Sequence, residues 1–177
     1  MSNINNAIDR AGQISLAVFD VDGVFTDGSI IYSSGYGEIK IFHAHDGLGL
    51  KLLKKAGCDI AIVSSRESEI VTERFRELGI EEIHQKQNNK ANILIELMNK
   101  FKLERSNIAY TGDDLVDISA MKLSGLAIAV ANAHPLVKEV ADWVTTNKGG
   151  EGAVREVCDL ILKAQGKLDS VVKEYTS

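Results

Sequence analysis

Short runs that are apolar throughout alternate along the chain with longer segments whose apolar residues recur every three or four positions. Residues 16–19, 60–63, 108–110 and 127–130 form the apolar runs, and their brevity and two-sided hydrophobicity predict strands covered on both faces. Weaker strand signals lie at 83–85 and 143–144. Between the strands, the spacing predicts helices over 47–55 and 67–78, stopped by Gly57 and Gly79, and over 90–101 behind an Asn88-Asn89 cap. Pro135 opens a short helix over 136–140, where its missing N–H costs nothing, and a last helix over about 153–165 ends at Gly166. This is the alternation of β-α-β units. The expected fold is therefore α/β, a Rossmann-like, mostly parallel sheet flanked by helices.

One segment departs from the alternation. Residues 29–32 and 39–42 are strand-like stretches joined by the turn-rich S-S-G-Y-G-E. They predict a β-hairpin, about 29–42, inserted after the first strand and projecting from the sheet. No repeat, low-complexity tract or polar linker divides the chain, so residues 1–177 are expected to form one domain. The first dozen residues and the tail at 166–177 are expected to be mobile or to serve an interface.

With 177 residues, 45% of them hydrophobic, the chain can bury a full core. Its formal net charge of −5 speaks against a nucleic-acid footprint or attraction to an anionic membrane, so any bound anion must be held by local cations. The polar start MSNINNAIDR has no signal-peptide core and no apolar run is long enough to span a bilayer, which makes a soluble cytoplasmic protein the expectation. Cys58 and Cys158 lack C-x-x-C spacing and read as core thiols.

The carboxyl ends of parallel strands share one edge, where α/β proteins bind ligands. In this chain those ends carry D-V-D-G-V-F-T-D-G, then S-S-R, then H-Q-K-Q-N-N-K, then T-G-D-D-L-V-D. A lone D-x-D-G also fits a turn before Gly23. The turn reading weakens once Ser64, Lys90 and the acidic cluster Asp113, Asp114 and Asp117 are seen to follow separate strands. Asp20 and Asp22 are placed to share a metal with Asp113, because crowded carboxylates repel unless a cation neutralises them. An oxygen set without His or Cys favours Mg²⁺.

These motifs, in the order DVDGV, IVSS, the Lys of QNNK and GDDLVD, resemble those of the haloacid-dehalogenase superfamily of phosphotransferases across nearly the whole chain. The resemblance implies a phosphatase in which Asp20 attacks phosphorus and Asp22 protonates the leaving alcohol, then deprotonates the hydrolytic water. It places Mg²⁺ on the Asp20 carboxylate, the backbone carbonyl of Asp22 and Asp113, with Asp114 or Asp117 in support. Ser64 and Lys90 would hold the phosphoryl oxygens. Aspartate rather than threonine at position 22 argues for a phosphatase and against an ATPase or a dehalogenase.

The segments between motifs are too short for a large cap domain, so the site is expected to act on macromolecules or to borrow a lid from a neighbouring subunit. The hairpin, H-D-G-L-G-L and the ending K-G-G-E-G-A-V-R-E-V-C-D-L-I-L-K-A-Q-G-K-L-D resemble the 3-deoxy-D-manno-octulosonate 8-phosphate (KDO 8-phosphate) phosphatases. Members of that family are capless homotetramers of lipopolysaccharide synthesis in which a neighbour's tail helps close the site. The resemblance implies sugar-acid contacts from Asp22, His43, Ala44, His45, Asp46, Gly47, Lys51, Arg66, Arg74 and Lys90. Arg155, beside Gly149, Gly150 and Gly152, is a further candidate for contact across subunits. Many relatives carry Arg-Asp-Gly where this chain has His45-Asp46-Gly47, and an imidazole there is expected to make substrate preference sensitive to pH. Two other readings remain open at this level. One is a phosphatase for a nine-carbon sialic-type acid 9-phosphate. The other is a phospho-accepting receiver module, although in receivers the phospho-accepting Asp follows the third strand and the hairpin is missing.

Overall fold

The computed structural model describes residues 2–33, 35 and 37–176. Six strands, β1 (Leu16–Phe19), β4 (Asp59–Val63), β5 (Glu82–His84), β6 (Ile108–Gly112), β7 (Leu126–Ala129) and β8 (Trp143–Val144), form one sheet in the order β5-β4-β1-β6-β7-β8. Every pairing in it is parallel. All four residues of β1 are buried, which is why this run carries no polar alternation. From β1 the chain moves outward through β4 to β5, then crosses back to β6 on the other side and proceeds to β7 and β8. The direction of winding reverses between β1 and β6, and a crevice opens there at the carboxyl ends. Asp20 and Asp113 are the residues that follow those two strands.

Both weaker strand signals are real strands, at the two edges of the sheet. The helices α3 (Glu69–Glu77), α4 (Lys90–Phe101), α5 (Ile118–Leu123), α6 (Pro135–Val140) and α7 (Ala153–Ala164) fall close to the expected segments. Asn89 caps α4 by accepting a hydrogen bond from the Asn92 N–H. Gly57 and Gly79 take the left-handed conformation at helix ends, with φ of +86° and +75°.

Helix α2 (Ala44–Lys55) starts three residues before the predicted position. Gly47 and Gly49 lower the local helix propensity, so the pattern hides its first turn. Packing compensates: a Cβ on Gly49 would sit 3.0 Å from Arg155 Cδ and 3.2 Å from Arg155 Cα, so glycine lets α2 and α7 approach closely.

The described residues toward both ends, expected to be mobile or to serve an interface, form helices. Helix α1 (Ser2–Ala11) buries Ala7 and Ala11 and is tied across the sheet by Arg10, whose Nη1 donates to the Gly125 carbonyl and to Asp142, each at 3.0 Å. Helix α8 (Leu168–Thr176) buries Val171, and an ion pair between Lys55 and Glu174 at 2.6 Å joins it to α2. Small buried alanines and a single valine are too weak a stripe to stand out in the sequence.

The hairpin strands β2 (Ile31–Ser33) and β3 (Gly37–Ile39) form their own antiparallel sheet, with Tyr32 opposite Glu38. The paired region is shorter than the predicted 29–42, and Ser34 and Tyr36 of the expected turn lie outside the described residues. Cys58 and Cys158 are buried and free, and burial pushes the Cys58 thiol up to about 12, so both behave as core residues. No helix among the described residues is long and apolar enough to cross a membrane.

The glycine-rich loop before α7 packs against its own chain. The Gly150 N–H donates to the Val24 carbonyl at 3.1 Å, and a Cβ on Gly149 would lie 1.7 Å from the Gly23 carbonyl oxygen. No side-chain rotation relieves a clash between two backbones. Gly149→Ala is therefore expected to destabilise the fold by about 1–3 kcal/mol, the usual range for overpacking, and to displace the loop that follows Asp20. Urea denaturation together with activity measurement tests this; wild-type stability in the variant would contradict the close approach.

Candidate active site

The crevice between β1 and β6 is built around one buried ammonium. Lys90, the first residue of α4, is 1% exposed, and its Nζ lies 2.8 Å from Asp20 Oδ1 and 2.7 Å from Asp117 Oδ1. Burial lowers the lysine pKa, but the two carboxylates outweigh it and the net shift is upward, so Lys90 stays charged. Asp117 is satisfied on both oxygens. Oδ1 also accepts from the Tyr110 hydroxyl at 2.9 Å, and Oδ2 from the backbone N–H groups of Asp113 at 3.0 Å and Asp114 at 3.2 Å. Asp117 thereby fixes both the lysine and the backbone that presents Asp113. Asp114 caps the short 3₁₀ turn after β6, accepting from the Leu115 N–H at 2.7 Å.

Asp20 and Asp113 are held above the ordinary carboxylate range. Burial, with Asp117 adding repulsion, raises Asp20 to about 7 against the pull of Lys90. Burial and the neighbouring Asp20, Asp117 and Asp114 raise Asp113 to about 8. One carboxylate oxygen from each of Asp20, Asp113 and Asp117 falls within 4.8 Å of the others, and Asp113 Oδ1 is buried without a hydrogen-bond partner. An orphaned oxygen among repelling carboxylates fits a divalent cation, and the all-oxygen donor set suits a hard one such as Mg²⁺. The four hydrogen bonds on Asp117 suit it to support rather than direct ligation.

The crevice opens into a cavity of about 250 Å³ lined by Asp20, Asp22, Ser64, Arg66, Asp113 and Asp114, among others. Ser64, at the end of β4, is 3% exposed, and its Oγ accepts from the Arg66 N–H at 3.2 Å. Two residues absent from the sequence-level candidates reach this site from the hairpin. The Lys40 ammonium contacts Asp22 Oδ1 and lies 3.3 Å from Glu38 Oε1, and the same Glu38 oxygen accepts from Arg66 Nη2 at 3.0 Å. The signal available for them was the alternation G-E-I-K-I, in which Glu38 and Lys40 share a face.

Other expected contacts lie elsewhere within one copy. None of His43, Ala44, His45, Asp46, Gly47, Lys51 and Arg74 lines the Asp20 cavity. His45 instead borders a separate cavity of about 370 Å³ with Trp143, Arg155 and Lys163. The His43 and His45 rings meet edge to face at 4.9 Å. Asp46 is 1% exposed, accepts from the Arg155 backbone N–H at 2.8 Å and leaves Oδ2 without a partner. Arg74 pairs with Glu77 at 3.0 Å and sits 5.9 Å over the Phe42 ring, while Arg155 Nε pairs with Asp159 at 2.9 Å. Lys51 is exposed on α2.

The raised carboxylates give stability a defined pH dependence. Their folded pKa values of about 7 and about 8 exceed the ordinary 3.8, so the folded, metal-free protein binds these protons more tightly than the unfolded chain. The contribution is complete below about pH 4 and is lost as pH rises through about 8. In EDTA the thermal midpoint is expected to fall across that window, and excess Mg²⁺ is expected to restore it increasingly toward high pH. Scanning calorimetry at several pH values checks this; equal pH slopes with and without the ion would contradict it.

Comparison with known proteins identifies the family. Residues 75–157 match the haloacid dehalogenase-like hydrolase family. Over 164 residues, covering 93% of this chain and 87% of the relative, the sequence is 44% identical to 3-deoxy-D-manno-octulosonate 8-phosphate phosphatase of Escherichia coli (strain K12). The fold is similar to the crystal structure of the Moraxella catarrhalis phosphatase of the same name, which contains magnesium, phosphate and KDO. The TM-score is 0.95 at 44% identity, with 97% of this chain and 99% of that chain covered. A cobalt-bound Haemophilus influenzae phosphatase of this type gives a TM-score of 0.85 at 40% identity, covering 89% of this chain and 92% of that one. The chain belongs to the 3-deoxy-D-manno-octulosonate 8-phosphate phosphatase family of haloacid dehalogenase-like hydrolases.

Proposed function

We propose that this protein is a Mg²⁺-dependent phosphomonoesterase that hydrolyses KDO 8-phosphate to KDO and phosphate in lipopolysaccharide biosynthesis. The observation that carries this reading is the Lys90-bridged Asp20 beside Asp113 at the sheet's switch point, in a fold similar to a relative that holds magnesium, phosphate and KDO. Asp20, oriented by Lys90, attacks phosphorus and displaces the sugar alcohol. Asp22 gives its proton to the departing oxygen, then takes one from the water that cleaves the aspartyl phosphate, so one carboxyl group serves both steps. The Ser64 hydroxyl and Lys90 hold the phosphoryl oxygens. Asp20, Asp113 and the Asp22 carbonyl would hold Mg²⁺, with Asp117 and Asp114 in support. The ion supplies charge neutralisation that lets an anionic nucleophile meet an anionic phosphate.

Residues 1–177 act as one domain in the cytoplasm, and four copies assemble. Two features support assembly. Hairpin residues Ile31, Ile39 and Ile41 are 40%, 45% and 71% exposed, an apolar face that suits burial against another copy. His43, Ala44, His45, Asp46, Gly47, Lys51 and Arg74 also lie off the cavity in one copy, so a neighbour's set, with its tail, would complete the sugar-acid site next to Arg66.

Phosphate release from a panel of sugar-acid phosphates, with and without EDTA, tests the function. Asp20→Asn is expected to abolish turnover, and Asp22→Asn to lower kcat by about 10²–10⁴-fold. Activity surviving Asp20→Asn would sink the mechanism, and a long-lived phospho-Asp20 without turnover would point to a receiver-like module. A higher kcat/KM for a nine-carbon acid 9-phosphate would reassign the sugar. Light scattering tests the assembly: Ile41→Glu is expected to shift the tetramer toward smaller species, and a monomeric wild type would remove the borrowed contacts.

A further inference from the structure

The hairpin is polarised against the usual sense. On its second strand and beyond, Ile39 and Ile41 face outward, while the Lys40 side chain is only 3% exposed and that of Glu38 18%. A buried ammonium is costly unless carboxylates surround it, and Lys40 has two. It contacts Oδ1 of Asp22 and lies 3.3 Å from Glu38 Oε1.

Arg66, arriving from the end of β4, completes the clamp. Its Nε is 3.7 Å from Asp22 Oδ2, and its Nη2 donates to Glu38 at 3.0 Å and to the Tyr32 hydroxyl at 3.2 Å. The Asp22 carboxylate thus faces a cation at each oxygen, one from the hairpin and one from the sheet, and Glu38 bridges the two cations. Among the described residues the hairpin strands pair only with each other, so this ion cluster ties the hairpin to the cavity floor. A carboxyl group at the end of a short side chain is free to rotate unless its oxygens are engaged, and proton transfer to a leaving group demands one orientation.

We propose that Lys40 is a positioning residue that acts through Asp22, fixing the carboxyl group toward the leaving-group oxygen. The assignment rests on the acid/base reading of Asp22. Its consequence is selective. An alkyl leaving group needs the proton from Asp22, whereas p-nitrophenolate departs without it, so misorientation of Asp22 slows the first chemical step only for alkyl esters.

The test compares kcat/KM for KDO 8-phosphate, arabinose 5-phosphate, which lacks a carboxylate, and p-nitrophenyl phosphate. It uses the Mg²⁺-loaded full-length wild type, Lys40→Met, Lys40→Arg, Asp22→Asn and the Lys40→Met/Asp22→Asn double variant. Lys40→Met is expected to lose about 10²-fold on both alkyl esters and little on the aryl ester, the scale of cost for a misplaced catalytic group. Lys40→Arg, which keeps the cation, is expected to recover part of that loss. The double variant is expected to be no worse than Asp22→Asn alone. If Lys40→Met is insoluble, Lys40→Gln carries the same expectation.

Equal losses on all three esters would show a general structural role and overturn the proposal. A loss confined to KDO 8-phosphate would make Lys40 a contact for the substrate carboxylate and overturn it equally. If Asp22→Asn is itself indifferent to the leaving group, the acid/base reading fails and the positioning role falls with it. If Asp22→Asn discriminates and Lys40→Met does not, only the positioning role falls.

Discussion

A single ammonium buried among carboxylates organises the active site. Lys90 joins Asp20, which follows β1, to Asp117, which follows β6, and Asp117 in turn holds the backbone of Asp113 and Asp114. Without that cation the crevice would gather mutually repelling acids in a region of low dielectric, where each would recover its proton. With it, charge is only partly balanced. Asp20 remains at about 7 and Asp113 at about 8, a deficit of positive charge that matches a divalent ion. The carboxylates are therefore ordered around Lys90 and still call for further positive charge.

The same logic extends to the hairpin. Lys40, Glu38, Arg66 and Asp22 form a second charged cluster above the first, and the hairpin's apolar residues are left facing outward. A globular protein normally turns apolar residues inward. Here the polar side of the hairpin faces the Asp20 cavity while Ile31, Ile39 and Ile41 on the other side are exposed, which joins the geometry around Asp22 to whatever covers that face.

The glycines contribute where backbones meet rather than where chains turn freely. Gly149 lies against Gly23 in the loop carrying Asp22, and Gly49 lets α2 approach Arg155. These contacts relate the segment beginning at Gly149 to the loop that follows Asp20, and helix α2 to helix α7. In sequence these glycines look like a helix-entry loop and a weak spot in a helix.

The strands, most helices and the acidic residues at the strand ends were legible in the sequence, because buried parallel strands must be short and apolar and because the acids sit immediately after them. The motif order Asp20, Ser64, Lys90, Asp113 followed for the same reason: each is the first polar chemistry beyond a strand or at a helix start. The terminal helices α1 and α8 were not legible, since their stability comes from a few small contacts such as Ala7 and Ala11 and from ties such as Arg10 to Gly125. Nor were the partners of the carboxylates. That Asp117 spends both oxygens on hydrogen bonds, that Lys40 buries its charge against Asp22, and that His45 and Arg74 lie away from Asp20 within one copy are facts of three-dimensional proximity. Local pattern determines which groups reach the sheet's edge; only packing determines which of them face one another, because the energy of a buried charge depends on neighbours distant in sequence.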